Sequence, residues 1–109
     1  TLPQTDENLV ESARAADLLV NATPVGMWPH VEGTIWPEGV PIPAHLVVFD
    51  LVYNPLETRL LRQAREGGAH AIGGLGMLVE QGAIAFEMWT GQPAPVELMT
   101  AVCERALRR

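Results

Sequence analysis

The sequence predicts a three-layer α/β fold built on a parallel sheet, and three observations predict it. Two short apolar runs, 18–21 and 46–51, have the length and composition of strands buried on both faces, as parallel strands are. Helical spacing takes over between and after the later runs, so strands alternate with helices. Each strand candidate also runs straight into a segment rich in glycine, proline or both.

The elements follow in order. Thr5 can cap a first helix whose opening turn carries Asp6 and Glu7, where negative charge suits the helix dipole, and Leu9, Ala13 and Ala16 form its thin apolar face. Leu18-Leu19-Val20-Asn21 reads as a strand. The connection from Ala22 to His45 holds Pro24, Pro29, Pro37, Pro41 and Pro43, which excludes a long helix; loops of that length are often functional. Leu46–Leu51 is the strongest strand. A helix is then expected to open at Asn54 as the cap, with Pro55 at its first position and Glu57 three residues after the cap. Leu56, Leu60, Leu61 and Ala64 form its buried side, and Gly67 or Gly68 ends it. Ala69–Ile72 is a weaker strand, placed mainly by its position. Met77 to about Thr90 is a mostly apolar helix closed by Gly91. A last helix follows Pro93 and Pro95, with Val96, Met99, Cys103 and Ala106 as its core stripe and Arg105, Arg108 and Arg109 at its C-terminal dipole.

Composition excludes several function classes. The 109 residues are 48% hydrophobic, which argues against disorder. A net charge of −6 argues against a nucleic-acid binder, which shows a basic stripe. No run approaches the ~18 apolar residues of a membrane helix, and Thr1-Leu2-Pro3-Gln4 has neither the basic start nor the apolar core of a signal peptide. Cys103 is the lone cysteine, so no intrachain disulfide or multi-cysteine metal site forms, and a reducing, cytoplasmic setting is expected. His30, His45 and His70 lack ligand spacing, and no metal is expected. All seven basic residues are arginine, and lysine is absent.

In open parallel sheets, ligands bind beyond the C-terminal ends of the strands. Three segments leave such ends: Asn21–Met27, Val52–Pro55 and Gly73–Gly76. Their glycines admit close backbone approach, and Thr23 and Tyr53 add hydroxyls. On the helix that follows, Gln81 falls about 100° from the solvent stripe marked by Glu80 and Glu87, among Met77, Ala85 and Met88. An amide in such company needs partners; it bonds a neighbouring loop or faces a polar ligand. Asp50 reads as a turn-stabilising carboxylate ahead of a catalytic one. Trp28 and Trp36 are expected to pack the proline-rich loop down, and Cys103 to be an inert buried thiol.

Three segments together carry a resemblance. Asn21-Ala22-Thr23-Pro24-Val25-Gly26-Met27, Asp50-Leu51-Val52-Tyr53-Asn54-Pro55-Leu56-Glu57-Thr58 and Gly74-Leu75-Gly76-Met77-Leu78-Val79-Glu80-Gln81-Gly82 resemble, in order and spacing, signatures of the C-terminal half of shikimate dehydrogenases. The resemblance implies a partial Rossmann-like fold, the second half of an NADP-binding domain, in an enzyme that reduces 3-dehydroshikimate to shikimate with NADPH during aromatic (chorismate) biosynthesis. It implies that Asn21, Thr23, Leu51 and Gly74 line the nicotinamide side of the cofactor site. It also implies that Tyr53 and Gln81 hydrogen-bond the substrate, converging on one cleft near Thr23 and Gly74. No catalytic residue is expected in this chain, because the family's lysine and aspartate belong to an N-terminal substrate domain. No Gly-x-Gly-x-x-Gly precedes a helix here. The chain is therefore expected to be a fragment, inactive alone, with an unpaired edge at Leu18–Asn21 that favours self-association. An NAD-dependent quinate or shikimate dehydrogenase fragment, and a module that only binds a ligand or partner, remain as alternatives.

Overall fold

The computed structural model describes residues 5–108. The readings of Thr1–Gln4 and of Arg109 lie outside the described residues. The element order is α1 (Asp6–Ala15), β1 (Leu18–Asn21), β2 (Val47–Asp50), α2 (Arg59–Glu66), β3 (His70–Ile72), α3 (Leu75–Thr90) and α4 (Val96–Leu107). The sheet is parallel throughout, in the order β1-β2-β3. Register puts Asn21 beside Asp50 at one end and Leu18 beside Val47 at the other. The first two strands lie side by side, with the weakest strand outside β2.

The core lies on one face of this sheet. Val48, Leu46 and Ala69 meet Leu60 and Ala64 of α2, Ala13 of α1, and Trp36 and Ile42 from the long connection. α2 packs directly on β2 and β3. The connection between β1 and β2 contains no helix or strand, yet two of the largest fully buried side chains come from it. Trp36 is held there by its indole N–H, which donates to the Val40 carbonyl at 2.7 Å. Gln63 of α2 fastens the same segment, accepting from the Thr34 hydroxyl and donating to the Trp36 carbonyl.

Burial of β1 on both faces is not observed. Leu19 and Asn21 point to the core side, while Leu18 and Val20 are 53% and 43% exposed. Ile72 of β3 is likewise exposed, because among the described residues the helix packed on the strands, α2, lies on the core side.

α1 starts as expected: the Thr5 hydroxyl accepts from the Asn8 N–H. α2 does not. Residues 54–57 form a turn with a cis Asn54–Pro55 bond, and the helix begins past the predicted cap, at Arg59. Thr58 is the N-cap, accepting from the Leu61 N–H at 3.2 Å. Thr58 prevails because its hydroxyl is also engaged by the buried Asp50 carboxylate, at 2.7 Å, whereas Leu56 stays partly exposed in the turn rather than on a buried helix side.

α3 and α4 form a helical hairpin. α3 starts at Leu75, two residues before its expected start, and ends at Gly91 in the left-handed region, φ 68°. The Glu87 carboxylate accepts from the Ala94 N–H across the turn. The hairpin makes its extensive contacts within itself. The radius of gyration is accordingly 15.8 Å, against roughly 13 Å for a compact domain of this length. The expected core stripe of α4 is not buried. Met99, Cys103 and Leu107 are half-buried, and Val96 and Ala106 are exposed, because among the described helices and strands α4 packs chiefly on α3.

Candidate functional site

Every strand delivers its chain to one edge, and the three outgoing loops touch there. The Leu51 N–H donates to the Asn21 carbonyl at 3.1 Å, and the Trp28 N–H donates to the Asn54 carbonyl at 2.8 Å. The third loop is closer still. A Cβ added to Gly74 would lie 2.3 Å from the Leu51 carbonyl oxygen and 3.1 Å from that of Asp50. Only glycine permits this approach, since the obstructing atoms are backbone and cannot turn aside.

A buried polar chain organises the edge. Asp50 is fully buried and accepts three hydrogen bonds: from Asn21 Nδ2 at 3.1 Å, from the Val52 N–H at 3.0 Å and from the Thr58 hydroxyl at 2.7 Å. Asn21 also donates to the Val25 carbonyl at 3.1 Å, and its Oδ1 accepts from both the N–H and the hydroxyl of Thr23, at 3.1 and 2.6 Å. No buried side-chain nitrogen or oxygen among the described residues lacks a partner. A buried network stabilises its surroundings only when satisfied in this way. Asp50 is thus the turn-stabilising carboxylate that its position suggested.

Over this network lies a cleft of about 480 Å³, lined by Ala22, Thr23, Pro24, Met27, Trp28, Leu51, Val52, Tyr53, Asn54 and Leu107. Its size is in the usual range for a small-molecule site, and it mixes apolar walls with a few polar groups. A second hollow, on the outer side of α2 around Arg59 and Arg62, is remote from the strand ends and carries no comparable arrangement.

The structure brings Thr23, Leu51 and Tyr53 together in this cleft. Gly74 backs it through its contact with Leu51. Asn21 is placed differently from expectation: it is 1% exposed, because Asp50, Val25 and Thr23 occupy its whole amide, so it shapes the site through Thr23 rather than by touching a ligand. Gln81 is also placed differently. It is exposed on α3 and does not line the cleft with Tyr53. Its apolar neighbours on the helix wheel, Met77 and Met88, are themselves exposed, so the amide has no internal demand for a partner. Trp28 lies half-exposed at the cleft rather than under the loop, unlike Trp36. Sequence reasoning missed Thr58, Trp28 and Leu107 as parts of this edge. Thr58 alone left a signal, a threonine directly before Arg59-Leu60-Leu61, masked by the stronger Asn-Pro pattern upstream.

The site can hold a planar group against Leu51 and Val52 with hydroxyls from Thr23 and Tyr53 at its margin. The nicotinamide end of a dinucleotide fits that description, with Thr23 and Leu51 as the residues that would hold it.

The chain as a whole is similar to known proteins. The family profile described as "Shikimate 5'-dehydrogenase C-terminal domain" matches residues 74–104. A shikimate dehydrogenase (NADP(+)) of Methanopyrus kandleri is 48% identical over 102 residues, 94% of this chain and 35% of that protein. The crystal structure of shikimate 5-dehydrogenase from Listeria monocytogenes, in complex with shikimate and NAD, aligns with a TM-score of 0.80 at 38% identity, over 92% of this chain and 35% of that one. The Thermus thermophilus enzyme, in complex with NADP(H) and shikimate, gives 0.79 at 43% identity over 90% and 37%. The chain spans about a third of the length of the curated relatives it matches. Sequence, fold and loop geometry together match this chain to the C-terminal region of shikimate dehydrogenases.

Proposed function

We propose that this chain forms the nicotinamide- and substrate-facing part of an NADP-dependent shikimate dehydrogenase, which interconverts 3-dehydroshikimate and shikimate. The observation that carries the reading is the convergence of Thr23, Leu51 and Tyr53 on one cleft at the C-terminal edge of a parallel sheet, where such folds bind dinucleotides. A bound nicotinamide supplies the hydride. This chain's residues supply its seat: Leu51 and Val52 as an apolar wall, Gly74 as the close-packed backing, Thr23 as a polar margin. Tyr53 and Gln81 hydrogen-bond the substrate, Gln81 from the exposed face of α3 onto a ligand that reaches beyond the cleft.

The chain contains no lysine and no Gly-x-Gly-x-x-Gly before a helix. By the resemblance to shikimate dehydrogenases, proton transfer and pyrophosphate binding are assigned to sequence other than these 109 residues. Purified alone, the chain should give no NADP-dependent oxidation of shikimate above a no-protein control.

The test uses the natural full-length polypeptide that carries this chain. Tyr53→Phe and Gln81→Ala should each raise the KM for shikimate roughly three- to tenfold, the worth of one neutral hydrogen bond, and leave the KM for NADP unchanged. A shikimate KM unaffected by Gln81→Ala removes Gln81 from the site, and one unaffected by both variants removes the substrate assignment.

A further inference from the structure

We propose that the Thr23 hydroxyl faces the cleft only as a hydrogen-bond acceptor, so that the ligand group seated against it is an N–H or O–H donor and not a carboxylate or phosphate oxygen. The inference rests on the cleft being the dehydrogenase site proposed above, and it specifies the chemistry of one subsite.

The argument is a proton count along the buried network. A carboxylate accepts and never donates. Thr58 must give its proton to Asp50, because the Leu61 N–H already points at the Thr58 oxygen. Asn21 must turn its NH2 group toward Asp50 Oδ1 and the Val25 carbonyl. The opposite orientation would set its oxygen against two other oxygens with no proton among them. Chemistry thus fixes an amide orientation that atomic positions alone leave ambiguous. Asn21 Oδ1 then faces Thr23, where it takes the backbone N–H at 3.1 Å and the hydroxyl at 2.6 Å. Two oxygens at that separation share a proton, and only the hydroxyl has one. Thr23 has therefore committed its single donor inward.

The hydroxyl oxygen has two lone pairs. The Val25 N–H takes one at 3.2 Å. No described residue takes the other, and Thr23 lines the cleft. What Thr23 offers a ligand is one acceptor site. An oxyanion placed there would meet a lone pair. Two donors suit the subsite: the N–H of a primary carboxamide, such as that of a nicotinamide, or a hydroxyl of a polyol substrate.

The experiment compares the natural full-length polypeptide with its Thr23→Val and Thr23→Ser variants. Four ligands are titrated by tryptophan fluorescence: NADP+, its 3-acetylpyridine analogue (no amide N–H), its nicotinic acid analogue (a carboxylate) and shikimate. If the donor is the carboxamide, the wild type binds the acetylpyridine analogue about three- to tenfold more weakly than NADP+, and the carboxylate analogue more weakly again. Thr23→Val then erases these differences and Thr23→Ser restores them. If the donor is a substrate hydroxyl, Thr23→Val weakens shikimate alone by a similar factor, again restored by serine. The proposal is overturned if Thr23→Val binds all four ligands as the wild type does. A uniform loss on all four, which marks a disturbed loop, also overturns it, as does a wild-type preference for the carboxylate analogue over NADP+. If the wild type binds neither dinucleotide nor shikimate, the dehydrogenase reading falls and takes this inference with it. The first three results leave that reading standing.

Discussion

Replacing Thr58 by valine keeps the shape of the side chain and removes only its oxygen. Two hydrogen bonds go with it, and both are buried: the donation to Asp50 at 2.7 Å and the acceptance from the Leu61 N–H at 3.2 Å. Hydrogen bonds to charged groups contribute about 1.5–3 kcal/mol each, and loss of a threonine cap costs about 1 kcal/mol. The two share one oxygen and are not independent, so a combined loss of roughly 2–4 kcal/mol is expected. Thr58→Ser keeps the oxygen and loses a buried methyl, worth about 1 kcal/mol. The valine variant should therefore be the less stable of the two by about 2 kcal/mol, on the order of a thirtyfold shift in the opening equilibrium. Native-state amide exchange reads this directly. Protection of the Val52 and Leu61 amides in the full-length polypeptide should fall sharply in Thr58→Val and only slightly in Thr58→Ser. Equal protection in the two variants would mean that the oxygen at position 58 does not hold the strand end to the helix, and the network argument would be wrong.

Two glycines two residues apart should respond oppositely to alanine. Gly74→Ala drives a Cβ to within 2.3 Å of the Leu51 carbonyl oxygen and should cost at least the upper part of the ~1–3 kcal/mol range for overpacking, whereas Gly76→Ala, in α3 with nothing within 4 Å, should stabilise by about 0.5–1 kcal/mol. Thermal denaturation of the two variants decides it, and the reverse order would refute the close approach. The chain expressed alone should self-associate, because Leu18 and Val20 are exposed on β1 while Met88 and Trp89 at the hairpin end are 77% and 84% exposed, and exposed apolar strands and helix ends favour association. A monodisperse monomer in sedimentation velocity would contradict this and favour a self-sufficient binding module.

The strands, their parallel order and the edge where the outgoing loops gather were legible because each rests on a local pattern: apolar run, helix period, glycine-rich exit. The start of α2 was not. Asn54, Pro55 and Glu57 satisfy the local rules for a helix opening as well as any tetrad, and Thr58 looks ordinary. What decides between them is a carboxylate eight residues earlier, buried at a strand end, and neither its burial nor its aim is encoded in the spacing. Asn21 misled for the same reason: its position promised a ligand contact, but the cross-strand register with Asp50 consumes its amide. Gln81 lies where the helix wheel did not put it, for another reason. The helix wheel ranks residues relative to one another, and it cannot say whether the apolar side of a helix is covered. α3 leaves much of that side uncovered, so the wheel's flank proved to be surface.

The connection between β1 and β2 looks like a detachable loop and is not one. Loops of this kind are commonly treated as interchangeable parts, cut from one protein and grafted into a relative to alter what it binds. Here Trp36 and Ile42 fill the space under α2, and Ile42 presses so closely on the end of that helix that a Cβ on Gly67 would lie 2.3 Å from its carbonyl oxygen. The same stretch begins with Thr23, Met27 and Trp28 at the cleft. Recognition and packing are thus written into one continuous piece of chain. A transplant carried out to change the first would also exchange part of the protein's interior, so the connection's own share in specificity is to be altered by point substitutions in its first turn, residues 22–28, with its remainder left intact.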